Sequence, residues 1–293
     1  MFKVLLLLLM IVLFVFQSTA LKKIEVDSIR QNLLVTGISS GMIAAALAVW
    51  VAVTGLTFSP VTLLCGLVFG IVFIVCLACY QFALKIGPMT YTAFFFSASM
   101  LIPAVTGLIF WKEPMTWSVI AGIILFLAAF YFISVYGGEK GEKGNIRWMI
   151  LCFFTWLTNG SLAVVLKIHS STLARQGTSS ESIQIMLLSF AVASVGAMII
   201  WAFMGKGKYH TDMEFTKKNL LQITLMAIGT GGGNILVSYL TGLIPSSYLF
   251  PVFQGALMVV LTVYSALALK ERVSKGGRIG VILGILGIII INL

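Results

Sequence analysis

Residues 101–125 read LIPAVTGLIFWKEPMTWSVIAGIIL, and residues 259–283 read VVLTVYSALALKERVSKGGRIGVIL. In each, an apolar run closes on a Lys-Glu pair, Lys112-Glu113 or Lys270-Glu271, and a second apolar run follows. A glycine stands nine residues after each glutamate (Gly122, Gly280), and a leucine three residues further on (Leu125, Leu283). Two apolar runs that turn around a charged pair read as a helical hairpin with both arms out of water. Just upstream, Ile86-Gly87-Pro88 is mirrored by Leu243-Ile244-Pro245 with one residue of slippage. The hairpin therefore occurs twice.

Outward from these hairpins the same texture fills the chain. Apolar segments run over residues 2–20, 33–56, 61–84, 90–111, 117–135, 148–167, 183–204, 220–240, 248–269 and 279–293. A spanning helix needs about 20 mainly apolar residues, so these runs and their short connections use up the length. The fold class is all-α integral membrane, with ten transmembrane helices. Because the hairpin repeats after five segments, and five is odd, the second half enters the membrane from the opposite side. The expectation is two inverted five-helix repeats, residues 1–137 and 148–293, joined by a linker loop at 138–147. The first segment, with Lys3, a leucine run and Ser18-Thr19-Ala20, also has the look of a secretory leader. Its end, Leu21-Lys22-Lys23-Ile24, is echoed by Leu166-Lys167-Ile168 in the sixth segment, so it is read as a retained helix.

Composition excludes several classes. Of 293 residues, 60% are hydrophobic and 10% charged, which a water-soluble domain could not cover with polar surface. The net charge of +10 is scattered over connections, with no basic face, so nucleic acid is not an expected partner. Cys65, Cys76, Cys79 and Cys152 all lie in apolar runs without other ligands nearby and read as small core residues. No metal and no cofactor is expected. A polytopic membrane enzyme would need facing His, Asp or Glu residues. The chain has two histidines far apart, His169 and His210, both expected in solvated loops, and no paired acidic motif. A purely structural membrane subunit is the remaining class besides transport.

Tyr80-Gln81-Phe82-Ala83-Leu84, Pro103, Lys112-Glu113 and Gly122 together resemble the EamA-type signature of the drug/metabolite transporter superfamily. Lys270-Glu271 and Gly280 repeat its end, without a proline matching Pro103. The resemblance implies a ten-helix transporter working by alternating access, with a glutamate at each hairpin. Glu113 and Glu271 are accordingly expected to be structural hairpin residues, since both sit at segment ends rather than in mid-bilayer. Related small multidrug exporters carry a glutamate in the first helix; here the first and sixth segments offer Gln17 and Asn159 instead.

Every acidic residue falls in a connection or at a helix end, which disfavours exchange run by a buried carboxylate. The polar groups inside apolar runs are amides and aromatic hydroxyls. The candidate substrate-binding residues are Gln17, Tyr80, Tyr91, Trp156, Asn159, Asn234, Tyr239, Tyr248 and Gln254. A buried amide or phenol requires a partner, another helix or a solute. Asn234 follows Gly229-Thr230-Gly231-Gly232-Gly233, a run expected to loosen its helix. Pairs four apart, Gly37/Gly41, Gly66/Gly70 and Gly280/Gly284, read as helix contacts.

The expected partners are membrane lipid and a small, neutral or zwitterionic solute resembling an amino acid, with an organic-cation exporter as the alternative. A homodimer is compatible with this reading, and the expected location is the plasma membrane. Lys22, Lys23, Lys85 and Lys167 near helix ends are expected to snorkel rather than bind anions. The connections after odd-numbered segments hold fifteen Lys and Arg and the other side four, which places both termini outside; the family resemblance implies both inside.

Overall fold

The structure, a computed structural model, describes residues 2–24, 28–86, 89–132, 146–204, 216–268 and 274–292. Eleven helices account for nearly all of them: α1 (Phe2–Lys23), α2 (Ile29–Thr54), α3 (Pro60–Ile86), α4 (Met89–Ala98), α5 (Leu101–Trp111), α6 (Trp117–Phe130), α7 (Ile146–Arg175), α8 (Ser182–Phe203), α9 (Lys217–Thr241), α10 (Ser246–Ala268) and α11 (Lys275–Ile291). No strand occurs among the described residues.

Eight helical stretches are long and apolar enough to cross a membrane, one of them running over Phe94–Trp111; α6 is apolar but shorter. The protein is therefore an all-α, multi-pass membrane protein. In lipid each backbone N–H and C=O must be satisfied within its own segment, and helices do that. Helix starts are marked locally in the sequence. Ser28, Ser59, Thr116, Thr216 and Ser274 each accept, on the side-chain oxygen, the N–H three residues ahead. α2 stops at Gly55, whose φ of 65° suits a residue without Cβ. Residues 138–145 of the expected linker, together with Lys270, Glu271 and His210, lie outside the described residues.

The chain divides into two compact units, each assembled from two separate stretches of the sequence. Unit 1 is Met1–Ile74 with Val165–Gly242, and unit 2 is Val75–Val164 with Leu243–Leu293.

In unit 1, α1 packs on α9 and α2 packs on α8. Small residues make both contacts close. At Gly37 a Cβ would lie 2.7 Å from the Met198 sulfur, and Ser194, beside Gly41, donates its hydroxyl to the Gly37 carbonyl at 2.8 Å. The glycine run of α9 behaves differently from expectation. The segment stays helical throughout, and its glycines face neighbouring helices instead of opening the backbone. A Cβ on Gly229 would stand 2.5 Å from the Leu13 carbonyl oxygen, so α1 could not approach any other residue this closely. Asn234 is correspondingly in regular helix, donating to the Thr230 carbonyl one turn back at 2.9 Å.

The expectation of a solvated His169 is also corrected. It belongs to α7, is 2% exposed, and lies 2.7 Å from the Thr62 hydroxyl of α3. A loop was expected because apolar residues thin out after Lys167, but α7 continues through small hydroxyl residues whose side chains bond their own helix.

In unit 2, α5 packs on α10, α6 on α11, and α10 on α11. Phe126, fully buried, fills the space left by Gly255 and Gly287. The α5–α6 turn is built around Lys112, which ends α5 at φ 52°. Glu113 is 7% exposed, and its Oε2 accepts the Ser247 N–H at 2.9 Å. That N–H belongs to the first turn of α10, where the helix itself offers no acceptor.

Candidate functional site

Unit 2 contains an interrupted helix that organises most of the polar side chains around it. Residues 90–111, expected as one span, form α4 and α5 with a break at Ser99-Met100. The cause is Pro103. A regular helix would give the Ser99 carbonyl the N–H of residue 103, which proline lacks. The Ile102 N–H turns to the Ser99 carbonyl instead, at 3.0 Å. Ser99 and Met100 then reach only the carbonyls three residues back, Phe96 and Ser97, each at 3.4 Å. The Phe96 and Ala98 carbonyls are left without their usual partners, Met100 and Ile102.

Ser99 Oγ turns back to the Phe96 carbonyl at 2.7 Å, and side chains of α7 add to it there and serve the Ala98 carbonyl. Asn159 Nδ2 donates to the Phe96 carbonyl at 3.2 Å and to Ser99 Oγ at 2.6 Å. Trp156 Nε1 donates to the Ala98 carbonyl at 3.2 Å. Asn159 and Trp156 are three apart and share one face of α7. The same face continues toward the helix start, where Trp148 Nε1 donates to Thr92 Oγ1 at 2.9 Å and Cys152 lies 3.8 Å from it. From α3, the Tyr80 ring stands 4.9 Å from the Phe96 ring at 45°, and Cys76 Sγ is 4.0 Å from Asn159 Oδ1.

Two acceptors and two ring systems are left for other use. Among the described residues Asn159 Oδ1 meets only the weak thiol donor of Cys76. The Tyr80 hydroxyl has no hydrogen bond to another described residue. The Phe153 and Trp156 rings, 5.8 Å apart, add a second aromatic pair on α7. An amide oxygen, a phenol and aromatic faces beside a helix break can hold a small solute bearing N–H donors or a diffuse positive charge. No metal-binding cluster of three or more His, Cys, Asp or Glu occurs among the described residues.

Of the candidate residues, Tyr80, Trp156 and Asn159 are thus brought together. Tyr248 and Gln254 are on α10 of the same unit, half-buried, with the Tyr248 hydroxyl donating to Asn292 Oδ1. Tyr91 is on α4, its side chain outside the described residues. Gln17, Asn234 and Tyr239 belong to unit 1. There the buried Gln17 Oε1 accepts no hydrogen bond among the described residues. Residue types did not point to Ser99 or to the Phe96 and Ala98 carbonyls. Their signal was Pro103, four residues after Ser99 inside an apolar run.

No protein-family model matches the sequence, and no curated protein matches it. Among solved structures, one described as "Crystal structure of protein" matches over 99% of this chain and 98% of that chain. Its TM-score is 0.73 and its identity 16%, a likeness of fold.

Proposed function

We propose that this protein is a membrane carrier for a small neutral or zwitterionic organic solute, amino-acid-like in its polar groups, and that it belongs with the EamA-type transporters of the drug/metabolite superfamily. The observation that carries this reading is the break between α4 and α5, with Asn159, Trp156 and Tyr80 gathered around it. Interrupted helices put approachable backbone and polar side chains at membrane depth, where a carrier binds its solute.

Packing within the units supports ten spans arranged as two inverted halves, with α4 and α5 forming one span and α6 and α11 completing the set. In that numbering α2 and α8 are equivalent, as are α5 and α10, and α6 and α11. Each of these pairs is in direct contact. A two-fold axis brings equivalent elements together in this way. Alternating access between the halves, in a plasma membrane, is the proposed mode of action.

The test is uptake into proteoliposomes combined with thermal unfolding against amino acids, nucleosides, sugars, sugar phosphates and organic cations. A bound solute raises stability with the logarithm of its concentration over Kd. A concentration-dependent shift and uptake for an amino-acid-like solute supports the proposal. Absence of both for every class removes it.

The second reading is export of organic cations, favoured by the Tyr80–Phe96 and Phe153–Trp156 ring pairs. Shifts with quaternary ammonium compounds and none with amino acids would select it.

A further inference from the structure

Ser59, Thr62, His169 and Glu181 form a polar network in unit 1. Ser59 precedes α3, and its N–H and its hydroxyl both reach Glu181 Oε2 at 3.0 Å. The hydroxyl is also 3.0 Å from Thr62 Oγ1, which in turn is 2.7 Å from His169 Nε2. Thr62 is 0%, His169 2% and Glu181 5% exposed. Three separate parts of the chain contribute: the start of α3, the last third of α7 and the connection before α8. α7 has 30 residues, about 45 Å, against an apolar bilayer core of about 30 Å, so its ends extend beyond the core.

A hydroxyl can meet an imidazole in two senses. With Nε2 bare, Thr62 donates to the ring, its only proton is used, and Ser59 alone is left to donate to Glu181. When the ring takes up a proton from water, Nε2–H donates to Thr62 Oγ1. The Thr62 proton is then released to point at the Glu181 carboxylate, with which its side chain also bonds. One added proton thereby reverses one hydroxyl and joins an imidazolium to a carboxylate through a single aligned link. A buried imidazolium is expensive unless it is so paired.

We propose that His169 is a proton-binding site of this protein, read out by Thr62 and Glu181, and that its protonation tightens the tie between the α7–α8 connection and the start of α3. The charged surroundings are sparse. Residues 60–74 of α3 have Cys65 as their titratable group, and α8 has none. α2 carries Arg30, which stacks over Trp201, near the far end of α8. α9 has Lys217 and Lys218 at its start and Tyr239 near its end, where Gly242 approaches Ser170 of α7. Lys167 and Arg175 are on α7 itself, and Lys3 is in the first turn of α1. Among these, Glu181 is the acid.

The chain has two histidines, so in H210Q the His169 ring nitrogens are observed alone in the full-length, ¹⁵N-histidine-labelled protein in bilayers. The expected result is a ring that changes its protonation state within the pH range over which the protein stays folded. Its midpoint should move toward acid by about one unit or more in E181Q, which removes the pairing charge, and likewise in T62V. Amide exchange over residues 57–63, corrected for its intrinsic pH dependence, should slow as the ring protonates and should lose that response in E181Q. A ring that holds one protonation state across this range overturns the proposal. So does a midpoint unmoved by E181Q, or exchange indifferent to the titration. Both substitutions keep the imidazole, so the outcome does not hang on whether a His169 variant folds.

Discussion

The Asn159 side-chain amide donates to the Ser99 hydroxyl at 2.6 Å while the same nitrogen reaches the Phe96 carbonyl, to which that hydroxyl itself donates at 2.7 Å. One side chain thus ties the end of α4 and the interruption created by Pro103 to α7. Asn159 has two tasks under the transport proposal, and they separate experimentally.

Asn159→Ala removes the donor shared by the Ser99 hydroxyl and the Phe96 carbonyl; because that carbonyl keeps the Ser99 N–H and hydroxyl, the cost is about 1 kcal/mol. Thermal unfolding in detergent measures this directly. The solute-induced rise in Tm should disappear as well. A variant that loses stability yet keeps the full solute response would remove Asn159 from the solute site and leave it a helix-joining residue.

Pro103→Ala returns an N–H to the position that Ser99 lacks. The expected outcome is a continuous α4–α5 helix, stability unchanged or raised by about 1 kcal/mol, and slower uptake in proteoliposomes. Unimpaired uptake in a variant with a straightened helix would show that transport does not use the break.

Glu181 sets an acid limit on stability. Burial pushes its carboxyl upward, but hydrogen bonds from Thr62 and from the Ser59 N–H and hydroxyl outweigh it, with His169 adding to them, and hold it below the usual carboxylate range. A carboxyl lower in the folded than in the unfolded chain stabilises fully above its unfolded value, about pH 4.3, and loses that contribution as pH falls through its folded value. Glu181→Gln should flatten the acid limb of the Tm–pH curve. An unchanged acid limb would contradict the hydrogen-bonded carboxylate.

Neighbouring glycines of α9 should differ sharply. A Cβ at residue 229 meets backbone, the Leu13 oxygen at 2.5 Å, whereas one at 232 meets the movable Leu13 side chain at 3.1 Å. Gly229→Ala should therefore cost about 1–3 kcal/mol by forcing α1 from α9, and Gly232→Ala much less. Equal losses would mean that the two helices are farther apart than described here.

Glu113→Ala should cost about 1 kcal/mol by leaving the Ser247 N–H without its acceptor at the start of α10, and Glu113→Gln less, because the amide keeps an oxygen. Chemical unfolding of both variants ranks them.

Much of this was legible from the residues. The apolar runs mark the helices, Ser and Thr mark where several begin, and Gly37/Gly41 and Gly66/Gly70 do lie at helix contacts. Pro103 was visible, although not that its effect would be a break capped from another helix. The glycine run before Asn234 misled for a physical reason. Glycine lowers helix propensity in water, but in an apolar bundle the close approach of α1 restores what the missing side chains do not supply. His169 misled because small hydroxyl residues around it look like a loop.

Which stretches become helices within a membrane follows from local composition: about 20 apolar residues with no water to hydrogen-bond their backbone. Which polar groups meet depends instead on how the helices pack. Thr62 and His169 are 107 residues apart, Asn159 and Ser99 60, and Ser247 and Glu113 134. Helices pack through small residues and shape, interactions with little sequence signature, and each such contact selects the partner of every polar side chain near it.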